Sequence, residues 1–292
     1  MRTGTLGLVV EAMRPRQWVK NFFVFGGLVF SGSAAHAGDV AIAVLVFIAF
    51  CLASGAAYLV NDVVDMDSDR HSLRTATRPI ARGDLAPRTA LTAAVLATLA
   101  AFAIVATTNW QTVATLAGFV ALQGAYSYRL KHLLFIDVMA IAGGFVLRAY
   151  AGLISIDVRF SIWLLLCTGL IALFLGLGKR RGEAVALGGA QSPHRAVLEE
   201  YSVGLIDELI GVVTPAILVS YSLYAVLGAE SGQAMLLTAP FVIYGIFRVL
   251  YLIHHEGSNL TGDPTELVWR DRPLQACIVL WGLTAGAIAL VS

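Results

Sequence analysis

The 292-residue chain is 58% hydrophobic and only 13% charged, about half the charged share of a soluble domain, which excludes a water-soluble globule and places the chain in a bilayer. A net charge of +1 gives no electrostatic footing for nucleic acid, which is not expected as a partner. Cys51, Cys167 and Cys277 all lie inside apolar runs with no metal-ligand spacing, so they read as small buried hydrophobes rather than as a disulfide framework.

The first segment, MRTGTLGLVVEAMRPRQW, lacks a small-residue cleavage site behind an apolar centre, and no removable signal peptide is expected from it. From there on, apolar runs long enough for the roughly 30 Å of hydrocarbon recur along the chain. Nine spans are predicted, over residues 19–36, 40–61, 89–107, 111–128, 135–155, 160–178, 208–229, 235–254 and 274–291. The first of them, WVKNFFVFGGLVFSGSAA, is interrupted by Gly and Ser, and its ends are the least defined. No linker or shift in composition divides the chain. The predicted fold is therefore all-α: one multi-pass transmembrane domain covering residues 1–292.

Charge fixes the orientation. With the amino terminus inside, 17 of the 20 Lys and Arg residues fall at or before the first span or in the loops at 62–88, 129–134, 179–207 and 255–273. Only Arg159 lies in an outward loop, and Arg148 and Arg248 lie within spans. The positive-inside rule then predicts a cytoplasmic amino terminus, an outside carboxyl terminus and chemistry on the cytoplasmic face of the cell (inner) membrane.

The loop after the second span opens NDVVDMDSDRHSLRTATRPI, directly behind the apolar run VFIAFCLASGAAYLV. Continued as a helix, this stretch brings Asn61, Asp62, Asp65 and Asp69 within an arc of about 100°, with Asp67 facing away. Near the bilayer such carboxylates need a positive partner, because each costs roughly 2.5–3.5 kcal/mol at its centre. Mg²⁺ is one answer, since it takes oxygen ligands and is commonly held by one or two carboxylates plus substrate phosphate. Neutralisation of a solvated helix end by Arg70, Arg74, Arg78 and Arg82 is the other. The apolar run feeding straight into the stripe favours the metal.

Further along, each polar group has two readings. Lys20 and Asn21 open the first span, where a lysine either snorkels to headgroups or reaches a phosphate. Tyr126, Arg129 and Lys131 close the fourth span, as an aromatic belt with a positive flank or as part of a site. Asp137 opens the fifth span. Arg148, about 16 Å deeper along the same helix, must face a cavity or a partner. The triplet Lys179, Arg180 and Arg181 is a topology anchor or a phosphate site, and Glu183 one turn on has no use in a pure anchor. His71, His132, His194, His254 and His255 show no metal-ligand spacing.

NDVVDMDSD is similar to the NDxxDxxxD signature of the UbiA superfamily of intramembrane prenyltransferases. Together with RPRQWVKN (14–21), RPIARG (78–83), YSYRLKH (126–132), LRAYAG (147–152), GKRRGE (178–183) and RDRPLQ (270–275), it resembles the decaprenyl-phosphate phosphoribosyltransferase branch of that superfamily. The resemblance implies nine transmembrane helices around a central cavity. It implies Mg²⁺ on Asp62, Asp65 and Asp69, which carry the catalysis, and substrate contacts from Lys20, Asn21, Asn61, Arg70, Arg78, Tyr126, Arg129, Lys131, Arg148, Lys179, Arg180 and Glu183. The implied reaction moves 5-phosphoribose from phosphoribosyl pyrophosphate to decaprenyl or another polyprenyl phosphate, releasing pyrophosphate, for cell-wall arabinogalactan precursors. Superfamily members that prenylate aromatic rings usually carry a second acidic motif, DxxxD, where this chain has GKRRGE. That exchange suits a donor with a diphosphate and a separate 5-phosphate. The competing readings are an aromatic prenyltransferase using a prenyl diphosphate, and a lipid carrier or transporter; the nearly charge-free outer halves of the spans argue against a through-path. Membrane lipid surrounds the chain, and a homo-oligomer is left open.

Overall fold

The computed structural model describes residues 4–30, 33–72, 75–158, 161–187, 200–229, 232–255 and 270–291, and all regular structure among them is helical. Arg2, Arg74, Arg159, Arg195 and His194, with much of the predicted inward loops at 179–207 and 255–273, lie outside the described residues. The short helix α1 (Thr5–Ala12) leads into a 3₁₀ segment (Pro15–Phe25) and α2 (Gly26–Phe30). Next come α3 (Ala37–Val64), α4 (Met66–Arg70), α5 (Pro87–Val105), α6 (Trp110–Tyr128), α7 (Ile136–Ser155) and α8 (Ile162–Leu187). The last three are α9 (Val203–Leu223), α10 (Ala239–His255) and α11 (Arg272–Val291).

Seven helical stretches among the described residues are long and apolar enough to cross a membrane, and the protein is a multi-pass membrane protein. They are built on α3, α5, α7, α8, α9, α10 and α11. The other two predicted spans differ in kind. The first is divided between a 3₁₀ segment that starts at Pro15, after Arg14 takes a left-handed conformation (φ 54°, ψ 65°), and the five-residue α2, so no single α-helix covers it. The fourth is a complete helix, α6, but Gln111, Thr112, Thr115 and Gln123 dilute its apolar character. Length and composition thus support seven spans directly, short of the nine predicted.

Helix caps follow local chemistry. Asn109 accepts from the Thr112 amide at 2.9 Å, and Ser202 accepts from the Leu205 amide at 3.1 Å. The two largest of the buried clusters that make up the core share one helix. One joins Val46, Phe50 and Ala53 of α3 to Leu116 and Phe119 of α6. The other joins Phe174 and Leu177 of α8 to Ile206, Ile210 and Ile217 of α9 and Val249 of α10. Helix α7 belongs to both, through Ala151 and Val138 respectively. The outward faces carry large apolar side chains such as Leu96, Leu99, Val212 and Leu283, as lipid contact requires.

Candidate active site

The buried stripe of α3 runs Ala43, Val46, Ala49, Phe50, Ala53, Ala56, Leu59 and ends on Asp62. Steps of three and four residues keep one face toward the core, so the register that packs α3 also buries Asp62, which is 1% exposed. Alanines on both sides, including Ala90 and Ala94 of α5, let the neighbouring helix approach closely. The predicted unbroken helix through the acidic run is corrected at one point. Helix α3 stops at Val64, Asp65 takes φ −91° and ψ 3°, and α4 resumes at Met66. The backbone bonds from Asp65 to Asn61 (2.9 Å) and from Asp69 to Asp65 (2.8 Å) preserve the pitch. Asp69 consequently stays buried, whereas the Asp67 side chain is 85% exposed and pairs with Arg70.

Three cations from separate parts of the chain meet this stripe. Arg14 donates to Asp62 Oδ1. Arg78 Nη1 donates to the same Oδ1 at 3.1 Å and to Asp69 Oδ2 at 2.6 Å. Lys131, itself buried, donates to Asp65 Oδ1 at 2.5 Å, and Asn61 Nδ2 donates to Asp65 Oδ2 at 3.0 Å. One acceptor remains: Asp62 Oδ2 is buried without a hydrogen-bond partner. Among the described residues no three acidic, histidine or cysteine side chains converge closely enough to cage a metal by themselves, because Arg78 stands between Asp62 and Asp69 and Lys131 takes Asp65. The unpartnered Oδ2 fits a hard cation that draws its other oxygens from substrate and water, which is the usual habit of Mg²⁺.

A second polar centre lies deeper. Arg148 of α7, 5% exposed, donates through Nε to Asn21 Oδ1 at 2.6 Å and through Nη2 to Ser54 Oγ at 3.3 Å. Its guanidinium lies 4.5 Å from the Phe119 ring centroid and 5.3 Å from that of Phe145. Arg148 and Asn21 are thereby the pin that holds the 3₁₀ segment against α7. Gly152 completes the seam, since a Cβ there would stand 1.9 Å from the Val24 carbonyl oxygen.

A third centre joins α7 to α8. Arg180, 1% exposed, donates to Asp137 Oδ2 at 2.7 Å and to Glu183 Oε2 at 2.5 Å. The Tyr201 hydroxyl donates to Asp137 Oδ1 at 2.9 Å and accepts from the Phe135 amide at 3.0 Å. Burial and the Asp137 carboxylate hold the Tyr201 phenol above its ordinary value. Arg180 Nη2 is buried without a partner. Arg181 instead pairs with Asp207 at 2.6 Å and reaches the Ile253 carbonyl at 3.1 Å, tying together the ends of α8, α9 and α10.

The structure therefore assembles Asn61, Asp62, Asp65, Asp69, Arg78 and Lys131 in one place, and Arg180 with Glu183 in another. Lys20, Tyr126 and Lys179 are half-buried. Arg70 does not join the buried acids, since it pairs with Asp67 and donates to the Ala81 carbonyl. Arg129 lies exposed at the end of α6. Reasoning from sequence passed over Arg14 and Tyr201, and it left Asp137 without a partner. Arg14 opens the block RPRQWVKN that carried the resemblance, and it stands between an apolar helix and Pro15, where the chain must turn.

An acidic stripe at a helix end, met by basic side chains within a bundle of apolar helices, describes a class of membrane enzymes that handle phosphorylated lipids. Residues 21–262 match the UbiA prenyltransferase family, and the chain belongs to it. It is 33% identical over 298 aligned positions to decaprenyl-phosphate phosphoribosyltransferase of Mycolicibacterium smegmatis, covering 96% of this chain and 91% of that protein. To the protein of the same description in Mycobacterium tuberculosis strain H37Rv it is 32% identical, covering 96% and 93% respectively. The fold is similar to that of a UbiA homolog from Archaeoglobus fulgidus bound to GPP and Mg²⁺, with a TM-score of 0.76 at 18% identity over 98% of this chain and all of that one.

Proposed function

We propose that the protein transfers 5-phosphoribose from phosphoribosyl pyrophosphate to decaprenyl or another polyprenyl phosphate and releases pyrophosphate. The observation that carries this reading is a complementary pair of remainders: a buried carboxylate oxygen of Asp62 and a buried guanidinium nitrogen of Arg180, both without partners. A donor with a metal-bound diphosphate and a separate 5-phosphate has one group for each. The relatives named for phosphoribosyl transfer to decaprenyl phosphate cover more than nine-tenths of this chain, which supports the same substrates here.

In this reading an oxygen of the lipid phosphate forms the new bond to the anomeric carbon as the bond from that carbon to pyrophosphate breaks, and pyrophosphate leaves with the electron pair. Such displacements pass through an oxocarbenium-like state, so the leaving group and not the nucleophile needs help. A bound Mg²⁺ supplies Lewis-acid stabilisation of the departing pyrophosphate. Asp62 would hold it through the unpartnered Oδ2, Asp69 and Asp65 would complete the acidic face, and Asn61 orients Asp65. Arg78 and Lys131 hold the anionic substrates side by side, which is proximity combined with charge neutralisation. Lys179 and Arg180 receive the 5-phosphate, with Glu183 holding the Arg180 guanidinium in place. Lys20 and Tyr126 take the lipid phosphate. The lipid phosphate is already anionic near neutral pH and requires no general base.

The isoprenoid tail lies among apolar helices arranged around a central cavity, with the first segment and α6 making up nine spans. The charged end, which holds the ion pairs of Asp62, Asp65, Asp69 and Asp137, faces the cytoplasm of the inner membrane, and the product serves arabinan synthesis for the cell wall. Incubation of purified protein with labelled phosphoribosyl pyrophosphate and decaprenyl phosphate tests this directly: labelled lipid and free pyrophosphate are expected. Transfer of a prenyl group to an aromatic acid, with no labelled lipid, overturns it.

A further inference from the structure

The two arginines on Asp62 are not equivalent. Arg78 spans Asp62 and Asp69, so it keeps an anionic partner if it loses either. Among the described carboxylates Arg14 touches Asp62 alone. Its guanidinium lies 4.8 Å from the Tyr58 ring centroid, and its side chain is 27% exposed where that of Asp62 is 1% exposed. Arg14 thus holds one oxygen of a buried carboxylate from the solvent side, resting on an aromatic face across which a guanidinium can shift. The other oxygen of that carboxylate is buried and without a partner.

We propose that Arg14 is an internal counter-ion of Asp62 which yields the carboxylate only when a divalent cation and a diphosphate arrive together. The inference rests on reading the acidic run as a metal–diphosphate site. A divalent cation alone at Asp62 Oδ2 faces two guanidinium groups and deprives Arg14 of its only carboxylate. A diphosphate alone adds negative charge beside Asp62, Asp65 and Asp69. When both are present every charge stays paired: Asp62 turns to the metal, and Arg14 moves over Tyr58 onto a phosphate oxygen. Coupling of this kind is reciprocal, so each ligand raises the affinity of the other by the same factor. The consequence is selectivity, because neither stray metal nor metal-free pyrophosphate occupies the site well.

The test uses purified full-length protein with Mn²⁺ as the probe, its binding followed by electron paramagnetic resonance with and without inorganic pyrophosphate. Affinities are corrected for the complex that the two form in solution. In the unaltered protein pyrophosphate is expected to tighten Mn²⁺ binding by more than about tenfold. In Arg14→Gln, Mn²⁺ alone is expected to bind about tenfold more tightly than to the unaltered protein, with the enhancement by pyrophosphate shrinking to match. Because the expected change is a gain of affinity, a misfolded variant does not mimic it. Arg14→Lys keeps the charge and is expected to stay near the unaltered protein. Arg82→Gln removes a cation that pairs with Glu11 and Asp84 and controls for net charge. The exchange is overturned if Arg14→Gln binds Mn²⁺ alone no more tightly than the unaltered protein, or if Arg82→Gln does the same as Arg14→Gln. If Mn²⁺–pyrophosphate binding persists, is lost in Asp62→Asn and is indifferent to Arg14, only the exchange falls. If no binding depends on Asp62, the metal–diphosphate reading falls with it.

Discussion

The cluster around Asp62 and the cluster around Arg180 are built from the same groups yet are left with opposite remainders. At Asp62 two guanidiniums share one carboxylate oxygen and the second oxygen has no partner. At Arg180 two carboxylates take Nε and Nη1, and Nη2 has none. Leaving a buried charged group short of a hydrogen bond costs about 1–3 kcal/mol or more, so two such shortfalls at the same end of the bundle call for a common explanation. A ligand that brings a cation to one and an anion to the other relieves both. The segment from Lys131 to Asp137 links them in sequence, since Lys131 grips Asp65 and Asp137 grips Arg180.

The largest effect that separates the two clusters is expected at Asp62. If Asp62 holds the metal that stabilises the departing pyrophosphate, Asp62→Ala should lower turnover by about a thousandfold, the scale on which groups stabilising developing charge act. The protein should still be recovered from membranes, because the α3 stripe from Ala43 to Leu59 holds the helix without it. Asp67→Ala, on the exposed side of the same run, should leave turnover within about twofold, as fits an exposed ion pair. Equal damage from the two substitutions, measured in Mg²⁺-supplemented assays, breaks the division between the buried and exposed faces.

The second expected effect is one of stability and lies at Arg180. Removing one partner of a buried pair leaves an uncompensated charge and costs roughly 3–5 kcal/mol, so Asp137→Ala should lower the thermal midpoint far more than Asp62→Ala. Arg180→Lys keeps a charge but lacks the fork that serves two carboxylates and a phosphate. It should raise the apparent KM for phosphoribosyl pyrophosphate while leaving that for the polyprenyl phosphate near its original value. Equal changes in both constants would mean that Arg180 only braces α7 against α8.

These two regions also differ in how far the sequence disclosed them. The acidic run was legible because its side chains are local: a helical period places Asp62 and Asp69 on one side and Asp67 on the other, and that geometry survives the break at Asp65. Helix ends were legible where apolar runs were continuous, α6 included, since 111–128 was predicted and Trp110–Tyr128 is found, and they were not legible at the 3₁₀ segment. What a single sequence does not display is pairing across distance. The Arg14–Asp62 contact joins residues 48 apart in the chain, and Arg180–Asp137 joins residues 43 apart. The triplet at 179–181 therefore read as one basic patch, although the structure sends Arg180 inward to Asp137 and Arg181 to Asp207. Arg148 was recognised as out of place in a span, but its neutral partners Asn21 and Ser54 carry no charge signal to announce them.

Chelation should sharpen the comparison further, with an effect on binding and none on stability. If the Asp62 cluster engages the donor through metal, binding of phosphoribosyl pyrophosphate to purified protein should weaken by more than about tenfold on chelation, a loss of at least about 1.4 kcal/mol. If basic side chains alone hold its headgroup, binding of the lipid monophosphate should change by less than about twofold, because its tail is already out of water in the bilayer. Loss of both ligands together would place the lipid phosphate on the metal as well.

The smallest expected effect comes from an ion pair with no remainder, which serves as the control. Arg248 forks onto Asp271, donating through Nε at 3.1 Å and Nη2 at 2.7 Å, and Asp271 also accepts from the Leu274 amide at 2.8 Å, fastening α10 to the start of α11. The Arg248 hydrogen bonds, helped by that amide and opposed by partial burial, hold the Asp271 carboxyl below its ordinary 3.8. A depressed folded-state value means that the stabilisation is fully present above about 3.8 and fades as the pH falls through the lower, folded value. The thermal midpoint of the detergent-solubilised protein should thus hold steady from about pH 6 down to about pH 4 where this pair is concerned, then decline. In Asp271→Asn the part of that decline due to the pair should vanish, with the midpoint near neutral pH lowered only slightly. Turnover at neutral pH should be unchanged, because no buried atom of this pair is without a partner. A loss of activity in Asp271→Asn as large as that in Arg180→Lys would show that an unpartnered atom is not what distinguishes a binding cluster from a brace.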